Sequence, residues 1–327
     1  MPVAILRASF ISLVVVGILL SPRPLAAQAG KPAVIAYLTP APPGVVSFHQ
    51  FRQALRNIGY VDGQDIIVEE RSAGGDLSRL PHLAAELVSM RVDIIVAVAN
   101  EAIRAAKDAT ATIPIVMRFS SDDPVINGFV KSYQRPGGNV TGLTIFASEL
   151  GAKRLELLKE LIPGLGRIAV LVNPERAWYH LRETQAAARS LGVQLYVITA
   201  QGPGDYPAAF ASMMRERVQA VYVTPDPVFL FHRKLLIALA DKHRLPALHD
   251  WREVAEAGGL ITYGPNLLDL NRRAAHYVDR ILKGSKPGDL PIERPTKFEL
   301  VINLKAARAL GVTIPPSLLL RADKVIE

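Results

Sequence analysis

The strongest constraint on this chain is its rhythm. Short apolar runs rich in β-branched residues recur at 34–38, 65–70, 92–98, 113–117 and 140–145. They recur again at 167–172, 193–198, 220–224, 246–249 and 260–263. Amphipathic segments separate them; Phe48, Phe51, Leu55 and Ile58, for example, fall on one helix face at i, i+3, i+7 and i+10. Strands apolar on both sides that alternate with helices indicate parallel sheets covered on both faces, because each parallel return needs a crossover. Two sets of about five strands predict two doubly wound α/β lobes. At 327 residues a single core is near its practical limit, which also favours two lobes.

The join is visible as the turn Arg135-Pro136-Gly137-Gly138-Asn139, an extended run at 140–145 and a helix predicted at 149–161. Further helices are expected at 228–243 and at 267–283, the latter closed by Gly284. A strand at 297–303 and a helix at 304–310 come last. These segments divide the chain into 30–145 plus about 266–292 for one lobe, and 146–265 plus about 293–327 for the other. A chain that crosses between lobes several times makes a hinge of two or three strands. Open α/β sheets bind ligands beyond the carboxyl ends of their strands, so two facing sheets direct a ligand to the cleft between them.

Residues 1–29 read as a secretory signal that is removed. Arg7 precedes the uncharged apolar run 8–20, and Ser21, Pro22 and Pro24 then lead to the small residues Ala26, Ala27 and Ala29. Thirteen helical residues span about 20 Å, short of the ~30 Å hydrocarbon core, so the run is too short for an anchor. Cleavage is expected after Ala27 or Ala29. No later stretch has the 18 uncharged apolar residues of a span, so no stable membrane insertion is expected after removal.

Composition excludes much chemistry. There is no cysteine, hence no disulfide, thiolate zinc site or cysteine nucleophile, and no lipid on an N-terminal cysteine. The net charge of +8, about +6 without Arg7 and Arg23, is thinly spread, and aromatics make up only 6%. With no basic run and no aromatic interleaving, a nucleic-acid partner is not expected. Gly164-Leu165-Gly166-Arg167-Ile168-Ala169 matches a loose dinucleotide fingerprint, but it precedes a strand and follows a helix, the reverse of a phosphate-binding turn. No Walker A sequence, G-x-S-x-G elbow or H-E-x-x-H helix is present, and no histidines pair at metal-ligand spacing. Neither a catalytic residue nor a metal site is expected.

What gathers at the strand ends is polar and mild. Thr39 and Pro40 follow the first strand, Asn100 and Glu101 the third, and Ser120, Ser121 and Asp122 the fourth. In the second set the corresponding residues are Asn173, Asp226, Asp250, Trp251 and Tyr263. Hydroxyls beside helix N-termini hold anions, carboxylates hold an ammonium, and Trp251 offers a stacking face. Ser120, Ser121, Asp122, Asn173 and Asp226 equally suit plain helix caps, and both readings stay open. The mixture fits an α-amino acid or similar zwitterion better than a phosphate, which calls for more cations, or a sugar, which calls for more aromatic platforms.

Across 34–327 the chain resembles the ABC-transporter substrate-binding proteins related to tryptophan- and tyrosine-binding uptake components. The carrying segments include FRQALRNIGYVDGQDIIVEER (51–71), TIPIVMRFSSDDPV (112–125), RPGGNVTGLT (135–144), KRLELLKELIPGLGRIAVLVNP (153–174) and KHRLPALHDWREVAEAGGLITYGPN (242–266). The resemblance implies a type I periplasmic-binding-protein-like fold of two closing lobes on a multi-strand hinge. It implies capture of a small-molecule, amino-acid-like ligand and its delivery to an ABC permease driven by a separate ATPase. It further implies a non-catalytic, cofactor-free receptor, and with no cysteine to carry a lipid that receptor is expected to diffuse unanchored, as a monomer, in the periplasm. Two departures concern the ligand. Such proteins often have a small residue where this chain has Asp122, and a Thr-Pro type turn where it has Ala99-Asn100-Glu101. Two added carboxylates repel a ligand carboxylate, which points to a more cationic or polyhydroxyl ligand unless Asp122 faces outward as a cap. The rival readings are a periplasmic sensory module and, less favoured, a periplasmic enzyme.

Overall fold

A computed structural model describes residues 31–145, 150–175 and 177–327, and Pro32–Glu327 form one compact unit. The signal reading for 1–29 lies outside the described residues, as do 146–148 and Glu149 at the head of the helix predicted at 149–161.

The first sheet comprises β1 (Ala33–Thr39), β2 (Ile66–Ser72), β3 (Ile94–Val98), β4 (Ile115–Ser120) and β5 (Val140–Thr144). All its pairs are parallel, in the order β2-β1-β3-β4-β5. β3, with the sequence IIVAV, is buried along its whole length, as a strand covered on both faces must be. Between these strands run α1 (Val46–Asn57), α2 (Leu80–Ser89) and α3 (Ala99–Ala109). α1 buries Phe48, Phe51 and Leu55 through its predicted face. The β4–β5 register slips between Met117 and Ser120. Gly142 lies opposite Met117 with φ +124°, where a Cβ would sit 2.3 Å from the Met117 carbonyl oxygen. Only glycine fits there.

After α4 (Leu150–Leu161) the second sheet begins with β6 (Arg167–Val172), and α5 (Ala177–Ser190), β7 (Gln194–Thr199), α6 (Tyr206–Arg215) and β8 (Ala220–Val223) follow. Next come α7 (Pro227–Phe231), α8 (Arg233–Lys242), β9 (Ala247–His249), α9 (Arg252–Glu256) and β10 (Ile261–Pro265). α10 (Leu267–Leu282) returns to pack on α1, β4 and β5, and β11 (Phe298–Asn303), α11 (Leu304–Leu310), α12 (Pro316–Arg321) and β12 (Lys324–Ile326) rejoin the second sheet. The chain therefore passes between the sheets after β5, after β10 and again before β11. On the way, Glu293 pairs along β5, its N–H donating to the Gly142 carbonyl at 3.0 Å.

Three details differ from the sequence expectation. The second sheet has seven strands, ordered β12-β11-β10-β9-β8-β6-β7, and β11 runs antiparallel to β10, because the third passage re-enters it from the opposite end. The helix predicted at 228–243 is two helices, with His232 serving as C-cap of α7 and N-cap of α8. The segment Ala99-Asn100-Glu101, read as a loop, is the first turn of α3. Ala99 takes φ +65° and turns β3 directly into the helix, a conformation that costs a non-glycine residue energy.

Candidate functional site

The carboxyl ends of the first sheet hold one tight polar group. Asn100 is buried, and its Oδ1 accepts from the Ser121 N–H at 3.0 Å and lies 2.9 Å from Ser120 Oγ. The Asn100 Nδ2 is buried without a hydrogen-bond partner. α3 has no side-chain cap, so no N-cap side chain covers the positive end of its dipole in the same place. The Asp122 carbonyl accepts from Thr144 Oγ1 at 2.8 Å and lies 3.0 Å from Ser120 Oγ. Thr39 and Pro40 belong to a neighbouring strap. Thr39 Oγ1 accepts from the Ala41 N–H at 3.2 Å, and the Pro40 carbonyl accepts from the Gly75 N–H at 2.8 Å. Glu101, with Asn100 and Arg104, lines a groove of about 550 Å³ between α2 and α3.

On the second sheet, Asn173 and Asp226 come together. Asn173 Nδ2 donates to Asp226 Oδ2 at 3.1 Å, while Asp226 Oδ1 caps α7 through the Val228 and Phe229 N–H groups at 2.6 and 3.2 Å. The cap reading therefore holds for Asp226. Asp250 and Tyr263 are joined by a residue the sequence reading overlooked. Arg154, fully buried on α4, forms an ion pair with Asp250, donates through Nε to the Tyr263 carbonyl at 2.9 Å and through Nη1 to the Tyr222 hydroxyl at 2.8 Å. Burial raises the Asp250 carboxyl to about 7, with Arg154 pulling the other way. On Arg154 itself, burial acts to lower the guanidinium, but Asp250 and then Tyr222 outweigh it and leave it raised. The guanidinium stays charged, and the Asp250 carboxyl is committed to it. The signal was present: Gly151, Arg154, Leu155 and Leu158 share the buried face of α4 at i, i+3, i+4 and i+7.

Trp251 bridges the two sheets. Its ring meets Phe119 of β4 at 5.9 Å, tilted by 45°. Trp251, Val254, Leu230 and Ile237 share one apolar core with Tyr37, Phe48 and Phe51 from the first sheet's side. At the other end of the cleft, a cavity of about 340 Å³ lies between Gly75 and Leu77 on one side and Asn173, Gln201, Val228 and His232 on the other. Leu77 also lines the α2–α3 groove. Among the described residues no cluster of three or more His, Asp or Glu is placed to hold a metal ion, and no helix is long and apolar enough to cross a membrane.

Two lobes, one on a parallel and one on a mainly parallel sheet, with strand ends facing across a cleft and three passages of chain between them, define the type I periplasmic-binding-protein architecture. The chain belongs to a family within it: residues 43–326 match the model for the ABC transporter substrate binding protein family. A tyrosine-binding protein of Clostridioides difficile (strain R20291) is 27% identical over 264 residues, covering 80% of this chain and 75% of that protein. Two solved structures are similar, each covering 90% of this chain and 100% of the other. A conserved domain protein from Vibrio cholerae O1 biovar El Tor has a TM-score of 0.82 at 28% identity. An ABC domain from Streptococcus pneumonia in complex with L-Trp has a TM-score of 0.80 at 25% identity.

Proposed function

We propose that this protein is the solute receptor of an ABC import system, taking an amino-acid-like zwitterion in the cleft and delivering it to a membrane permease served by a separate ATPase. The receptor works outside the cytoplasmic membrane, in a periplasm. The observation that carries the reading is the Asn100 group. A buried, unspent amide donor beside a helix N-terminus that no side chain caps, at the mouth of the first sheet, suits a ligand carboxylate. Similarity to a tyrosine-binding protein and to a domain in complex with L-Trp supports an aromatic amino acid, for which Phe119 and Trp251 supply apolar faces. Glu101 points this reading away from a carboxylate only if it leaves the groove it shares with Arg104. Ligand touching both lobes stabilises the closed form over the open one, and that population shift is what the permease reads.

The test is a thermal-shift screen of residues 30–327 against amino acids, small carboxylates, polyamines and sugars. A ligand at about 100 times its Kd adds about 2.7 kcal/mol of stability. A shift with L-tryptophan or L-tyrosine supports the reading. A shift with polyamines or sugars alone overturns the amino-acid assignment, and no shift from any of these or from a cell metabolite extract removes solute capture.

A further inference from the structure

One buried polar chain crosses between the lobes without belonging to either group of strand-end residues. Arg118 of β4 is 1% exposed and donates through Nε to Asn271 Oδ1 of α10 at 3.0 Å. Asn271 Nδ2 donates to Gln50 Oε1 of α1 at 3.0 Å, and Gln50 Nε2 donates to Glu253 Oε1 at 2.9 Å. The first three residues stand on the first lobe. Glu253 stands on α9, which packs against β10 and β11 of the second. The direction of this relay is forced at both ends, because a guanidinium only donates and a carboxylate only accepts. Each amide between them therefore has one possible orientation.

Both ends keep an unspent atom: Arg118 Nη2 and Glu253 Oε2 are buried and have no hydrogen-bond partner. Among the described residues Arg118 forms no ion pair, and within its own lobe its guanidinium has only the neutral Asn271 Oδ1 acceptor and the Phe119 ring face, 4.8 Å from the centroid. A cation buried in this way is costly unless a counter-charge is near. The facing charge is Glu253, which acts on Arg118 from across the cleft.

We propose that Arg118, Asn271, Gln50 and Glu253 form a closure latch, in which the second lobe brings the counter-charge for a guanidinium buried in the first. Opening the cleft breaks the Gln50–Glu253 bond and leaves Arg118 with no carboxylate. The latch biases the ligand-free receptor toward closure and sets affinity for every ligand by a common factor, because apparent Kd scales with the fraction of closing-competent molecules. Specificity then stays with the cleft residues. The inference rests on the receptor reading for its ligand arm alone.

The chain's lack of cysteine allows clean labelling. Spin labels on I126C and L235C, exposed positions on opposite lobes, report the open–closed distribution by pulsed electron resonance. Glu253→Gln keeps the shape and removes the charge. The expected result is a longer mean distance in the ligand-free variant, with L-tryptophan and indole-3-propionate both weakened by a similar factor, on the order of tenfold. Arg118→Met together with Glu253→Gln should recover part of the loss, because the stranded cation is gone. An unchanged ligand-free distribution overturns the latch. Selective loss of L-tryptophan, with indole-3-propionate unaffected, overturns it too, because Glu253 would then be gripping a ligand ammonium. Should wild type bind neither probe, the tryptophan-like ligand assignment fails, and the distance distributions still decide the latch.

Discussion

His249 ends β9 at 4% exposure, with an Nε2 that has no hydrogen-bond partner. Across the parallel register it faces Thr262 of β10, whose buried hydroxyl also has none. Burial pushes the imidazole down from 6.5 to about 4. The unfolded chain therefore takes up a proton near pH 6.5 that the folded chain refuses until about pH 4. Stability from the neutral ring is complete above the unfolded value and lost as pH falls toward the folded one, and a displacement of this size amounts to about 3 kcal/mol. The neighbouring Asp250 carboxyl, raised to about 7, acts in the opposite sense and gains stability on acidification between its ordinary value and 7. Overall acid sensitivity would hide both. The informative quantity is the difference between wild type and His249→Gln, in which the Asp250 contribution is common and cancels. Urea unfolding at pH 7.5, 6, 5 and 4 should show wild type losing about 3 kcal/mol relative to the variant over that range. A difference that stays constant with pH refutes the reasoning and means that the ring is hydrated or already charged in the folded protein.

Three further perturbations test other parts of the structure. Gly142→Ala places a methyl on the Met117 carbonyl at a φ of +124° and should cost about 3 kcal/mol or more by the same denaturation assay, with β5 shifting to relieve it. Asp250→Asn leaves the Arg154 guanidinium buried without its counter-ion and should cost about 3–5 kcal/mol; a neutral outcome in calorimetry would mean that Tyr222 and the Tyr263 carbonyl suffice alone. Asn100→Ala removes the unspent amide and should weaken carboxylate-bearing ligands on the order of tenfold in titration calorimetry, with little change for a ligand lacking the carboxylate.

The fold was legible because burial on both faces of a strand leaves a mark that needs no partner to be read. β6 and α11 fall on the residues expected of them, 167–172 and 304–310. What escaped was set by events far away in sequence. The antiparallel sense of β11 depends on which end of a sheet the third passage enters, and Phe298–Asn303 reads the same either way. The site divides along the same line. Asn100, Ser120 and Ser121 are legible as candidates because each sits where a strand stops, which is a local property, whereas their hydrogen bonding to one another is not. Arg118 and Arg154 lie in segments that otherwise look like a buried strand and an amphipathic helix. Nothing nearby in sequence separates them, yet one has a carboxylate from residue 250 and the other reaches residue 253 only through two amides. That difference decides their roles. A guanidinium paired within its own lobe holds that lobe rigid whatever the cleft does, whereas one whose counter-charge arrives from the facing lobe couples its own desolvation to closure. Arg154 therefore belongs to stability and Arg118 to the open–closed balance. Replacing each by methionine should move them apart in measurement: R154M should lower the unfolding midpoint, and R118M should mainly shift the distance distribution between the lobes.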